Sequence, residues 1–101
     1  MLPLLYGYAR VGISELPIVE LESRMRIFAV RKGFQLAAVF QEIEGVDEAL
    51  TELLRELRRA DCLDVIVPTL EHLAGPHSCA PSTEARLHAE TGARVWALDR
   101  H

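Results

Sequence analysis

Leu63-Asp64-Val65-Ile66-Val67-Pro68 is the stretch on which the fold turns. A short run with a Val-Ile-Val centre suits a strand buried on both faces, and Pro68, which has no N–H to give to a ladder, stops it. A strand of that kind belongs inside a parallel sheet with helices on either side. Just upstream, Ala49, Leu50, Leu53, Leu54 and Leu57 follow helical spacing from Val46. Asp47 and Glu48 open that helix and Arg55, Arg58 and Arg59 close it, each sign at the end the helix dipole favours.

Further upstream, Phe34 to Phe40 reads as a second strand, bounded by Gly33 and by the acidic run Gln41-Glu42-Ile43-Glu44-Gly45. Before it a helix is expected, with Ser14 as its N-cap, Glu15 in its first turn and Pro17 still early enough to be tolerated. Its apolar positions are Ile18, Leu21, Met25 and Phe28, and it ends at Gly33 after Arg31 and Lys32. Leu2 to Ala9 reads as the first strand. Downstream of Pro68, Leu70 to Ala80 has loop composition, a weakly amphipathic helix runs from near Pro81-Ser82 to Thr91, and Arg94 to Leu98 is a last strand.

The order β-α-β-α-β-loop-α-β predicts an α/β fold, a three-layer sandwich with a mostly parallel, four- to five-stranded sheet and right-handed crossovers. In such sheets ligands gather beyond the carboxyl ends of the strands. The loops to inspect are therefore Arg10 to Ser14, Gln41 to Gly45 and Thr69 to Cys79.

The chain has 101 residues, 50% of them hydrophobic and 26% charged, enough apolar surface for one packed domain over 1–101. No apolar run reaches membrane-spanning length and the N-terminus lacks a basic signal-peptide start, so a cytoplasmic protein without membrane contact is expected. Cys62 and Cys79 sit in dissimilar settings and are expected to be free thiols. Eleven Lys and Arg stand against fifteen Asp and Glu, a net charge of −4. Nucleic-acid affinity comes largely from neutralising phosphates, and this balance supplies no basic surplus for it.

Tyr6-Gly7-Tyr8-Ala9-Arg10-Val11 resembles the first strand of the resolvase/invertase family of serine recombinases, where Tyr-Ala-Arg-Val precedes the nucleophilic serine. Gly33-Phe34, Val39-Phe40-Gln41-Glu42 and Leu63 to Leu73 continue the likeness in register over nearly the whole chain. The resemblance implies a resolvase-like fold and an ancestral activity in which a serine hydroxyl attacks a DNA phosphodiester while arginines neutralise the phosphate. Both parts are chemically necessary: the hydroxyl forms the covalent intermediate and the guanidiniums stabilise charge on the phosphoryl oxygens.

Carried over residue by residue, Tyr8 and Arg10 match the family's tyrosine and first arginine, and Gly12 stands where the serine should be. Glu71 takes the place of the aspartate in the Leu-Asp-Arg-Leu turn, His72 that of its arginine, and Gly75 that of a second arginine. The segment after the second strand, which carries an arginine in the family, has none here and brings five carboxylates: Glu42, Glu44, Asp47, Glu48 and Glu52. A phosphate would be repelled there. Only Arg10 clearly survives of the guanidiniums.

Three functions follow from these residues. The preferred one is a catalytically inactive, recombinase-like domain acting by protein contacts or self-association, since the chain ends at His101 without the family's long helix and helix-turn-helix DNA-binding domain. The second is a recombinase fragment that cuts DNA with Ser14 as a displaced nucleophile beside Arg10. The third is an anion- or nucleotide-binding module using Arg10 and Ser14 at a helix N-terminus. Pairing of Arg10 with Glu42 or Glu71 is the alternative to an anion site. His72, His77, Cys79 and His88 fit no common zinc spacing, and Gly7 and Gly12 complete no phosphate-binding fingerprint, so neither metal nor cofactor is expected. Trp96 is expected in the core or at a dimer contact.

Overall fold

The computed structural model describes residues 2–10, 16–42, 48–69 and 88–98. Among them are strands β1 (Leu4–Arg10), β2 (Gln35–Glu42), β3 (Asp64–Val67) and β4 (Arg94–Ala97), and helices α1 (Ile18–Lys32) and α2 (Glu48–Arg59). A further helical turn covers residues 88–91. The strands form one sheet in the order β2-β1-β3-β4, and every pairing is parallel. The chain therefore steps from β1 outward to β2, then back across to β3. That reversal puts a topological switch point between the C-terminal ends of β1 and β3.

Side-chain alternation along β1 divides the core in two. Tyr6 and Tyr8 pack with Leu50, Leu53, Leu54 and Leu57 of α2 and with Val65 and Val67. Leu5 and Ala9 pack on the other face with Leu21, Met25 and Phe28 of α1 and with Ile66. The sheet is thus covered by a helix on each side, and all four residues of β3 are buried, Asp64 with its apolar Val-Ile-Val run. Gly7 is a glycine because α1 comes close: a Cβ there would lie 2.9 Å from Met25 Sδ and 3.0 Å from Val39 Cγ2.

The N-terminus of α1 differs from the sequence expectation. Pro17, with φ −63° and ψ 153°, holds the N-cap position in place of Ser14, and no side chain caps the helix. The Pro17 carbonyl accepts the amides of Glu20 and Leu21 at 3.0 and 3.1 Å. Proline, with no N–H to leave unsatisfied and an extended backbone, fits that boundary. At the other end Gly33 adopts φ 82°, the left-handed conformation glycine takes without strain, and the Phe34 amide bonds back to the Ala29 carbonyl at 2.7 Å.

Between β1 and β2 the register slips by one: Leu5 lies opposite Leu36 but Tyr6 opposite Ala38, so Ala37 is an extra residue in β2. Trp96, expected in the core or at a dimer contact, is half-buried and packs against the α1-side core. Its ring meets Phe28 and Phe34 edge-on at 5.8 and 5.9 Å, and its indole N–H donates to Asp64 Oδ1 at 3.0 Å. The same oxygen accepts from Arg94 Nε at 3.1 Å. No helix among the described residues is long and apolar enough to cross a membrane.

Candidate functional site: the carboxyl edge of the sheet

Tyr8, Arg10 and Glu42 come together at the C-terminal ends of β1 and β2. Tyr8 points to the α2 side and is fully buried, so its hydroxyl needs a partner. It donates to Glu42 Oε1 at 3.1 Å. Glu42 ends β2 and is only 1% exposed. Its carboxylate also accepts the backbone amides of Leu50 on Oε1 at 3.0 Å and of Ala49 on Oε2 at 3.1 Å.

Ala49 and Leu50 are the second and third residues of α2, whose first-turn amides have no acceptor within the helix. Glu42 therefore does from a neighbouring strand what an N-cap side chain does from within the chain, and its negative charge lies at the positive end of the dipole. This helix N-terminus, a natural place for a phosphate, is occupied by the protein's own carboxylate.

Arg10 is half-buried, faces Glu42 across the β1–β2 register and, two residues beyond Tyr8, projects to the same side of the sheet. Beyond β3, at the switch point, the Thr69 hydroxyl is shielded from solvent and has no hydrogen-bond partner among the described residues. Gly12, Ser14, Glu71 and His72 lie outside the described residues, as do Gly75, His77 and Cys79. Of the sequence-predicted site, the structure therefore joins Tyr8 and Arg10 and adds Glu42.

The capping role of Glu42 escaped the sequence reading, which counted it among five repulsive carboxylates and as a pairing partner for Arg10. A signal was present: a tyrosine at an inward position of a core strand needs an acceptor, and Glu42 closes the adjacent strand on the same side. Chemically, three donors hold the carboxylate in place, so it serves as a fixed acceptor and a local negative charge.

A second polar cluster lies on the α2 side of β2. The Tyr6 hydroxyl donates to Glu56 Oε2 at 3.5 Å, and Arg59 grips the same oxygen at 2.6 Å. Burial and the nearby Glu56 charge raise the Tyr6 hydroxyl above its usual value, whereas the Arg59 bond lowers Glu56. These residues line an open groove of about 520 Å³ together with Ala37, Ala38, Phe40, Glu52 and Arg55. The basic end of α2 is likewise engaged within the chain, Arg58 meeting Glu90 at 3.5 Å. Cys62 is buried with a free thiol, and burial raises its pKa.

No family of known proteins, no curated protein and no solved structure matches this chain.

Proposed function

We propose that this chain is a non-catalytic domain of serine-recombinase type that works through protein contacts. One observation carries the reading: the buried carboxylate of Glu42, held by Tyr8 and two α2 amides, sits at the carboxyl edge beside Arg10. The tyrosine that the resemblance assigns to the catalytic strand is thus engaged in holding a helix. The only arginine clearly kept from the family's set has a carboxylate across from it. Formal charge of −4 opposes a polyanionic substrate in the same direction.

Titration of labelled duplex DNA by fluorescence anisotropy at physiological salt tests this. No saturable binding is expected. A Kd of about 10 nM or below, the range of specific DNA binders, overturns the reading.

The small-anion module keeps one observation in its favour, the Thr69 hydroxyl at the switch point, which has no hydrogen-bond partner among the described residues. Thermal shift with inorganic phosphate addresses it: stabilisation at millimolar phosphate, lost in Thr69→Val, would favour that second reading.

A further inference from the structure

Helix α1 buries Leu21, Met25 and Phe28 but leaves three large aliphatic side chains in water. Val19 is 74% exposed, Val30 72% and Ile27 52%. At about 100° per residue, Val19, Ser23, Ile27 and Val30 fall on one stripe pointing away from the sheet. A groove of about 400 Å³ runs beside that stripe, lined by Ile27, Phe28 and Leu98 and by the cations Arg24, Arg31 and Lys32. Isolated exposed aliphatics are ordinary, but three aligned along one helix face beside a groove with an apolar floor and a basic rim mark a contact surface.

The charges flanking the stripe say what covers it. Glu20, Glu22 and Arg24 lie in the N-terminal half of α1, a net −1, whereas Arg26, Arg31 and Lys32 give the C-terminal half +3. A second α1 laid antiparallel across the first brings each acidic half against a basic half. A two-fold axis near residues 24 and 25 sets Val19 against the other copy's Val30, puts the small Ser23 at the crossing, and places Glu20 near the other copy's Arg31. Parallel pairing would stack like charges. DNA could use the four cations of α1 but would leave its aliphatic stripe and two glutamates against phosphates, and a membrane would receive only three aliphatic anchors with no aromatic residue among them.

We infer that the outer face of α1 is an isologous dimer contact in which a second copy of this chain packs antiparallel through Val19, Ile27 and Val30. The inference rests on the reading that the domain works through protein contacts, and gives that reading a surface and a partner. Helices packed this way lie about 8–10 Å apart, and one 15-residue helix from each copy makes a small interface. The dimer is therefore weak and concentration-dependent, with a dissociation constant in the range of roughly 10 to 100 µM.

Sedimentation equilibrium over a wide concentration range tests it on the full chain. Val19→Glu and Val30→Glu, at exposed positions, should keep the circular dichroism spectrum and weaken self-association at least about tenfold. Glu20→Arg and Arg31→Glu should each weaken it when alone, by opposing like charges, and mixing the two variants should restore dimers, because only the heterodimer has two matched pairs. Glu20 already meets Arg24 of its own helix at 3.3 Å, an exposed pair that rearranges at little cost. A monomer at every concentration overturns the inference. A dimer indifferent to Val19 and Val30 also overturns it, while leaving the protein-contact reading intact, since that reading fails on DNA binding, measured separately.

Discussion

Replacing Glu42 with Ala would remove the acceptor of three donors at once and leave two helix amides and the Tyr8 hydroxyl unsatisfied in the interior. A loss of about 2–4 kcal/mol in unfolding free energy by urea titration is expected, with Tyr8→Phe costing about 1–2 kcal/mol. The two losses should not add, because both variants break the same hydrogen bond. A second prediction concerns Gly7, where α1 lies against the sheet. Gly7→Ala forces Met25 or Val39 aside and should destabilise by about 1–3 kcal/mol by the same titration. A third concerns Cys62, buried and with its pKa raised by that burial. Iodoacetamide at pH 8 should leave it unmodified in the folded chain and alkylate it readily in urea, as read by peptide mass spectrometry.

At the scale of elements, the parts of the fold carried by hydrophobic spacing could be read from sequence and the parts carried by polar contacts between distant residues could not. The Val-Ile-Val run announced β3 as a doubly covered strand, and Leu50, Leu53, Leu54 and Leu57 announced the inward face of α2. Gly33 marked the end of α1 because its positive φ is a local demand. The start of α1 was misplaced at Ser14 because a capping hydroxyl and an early proline suit several registers, and the structure chooses Pro17. Glu42 was named only as a carboxylate and as a partner for Arg10, and its capping role was missed because a cap supplied from another strand leaves no i-to-i+3 pattern. The candidate site was legible only at Tyr8 and Arg10, through resemblance, since the physical role of Tyr8 depends on a carboxylate 34 residues away.

Helix α2 also carries a pH dependence. Burial and the adjacent Glu56 charge raise the pKa of the Tyr6 hydroxyl above the ordinary tyrosine value, so the folded chain holds that proton more tightly than the unfolded chain does. The resulting stability is fully present below about pH 10 and is lost as pH rises through the folded value. Urea midpoints measured between pH 8 and 11 should fall, and the fall should shrink in Tyr6→Phe.

Across the whole molecule, the apolar residues build two packed layers against one sheet, and the polar residues near its carboxyl edge hold those layers together. An internal carboxylate caps α2 at the place where an anion would otherwise bind, and the net charge of −4 gives no long-range attraction to DNA. What the surface offers instead is an aliphatic stripe on α1, suited to another protein. The sharpest check on this account is covalent trapping: the intact protein is incubated with a nicked DNA substrate that locks a cleaved product in place, then denatured and resolved by size. The account predicts that all DNA migrates free of protein. A protein–DNA ester that survives denaturation and vanishes in Ser14→Ala would contradict it.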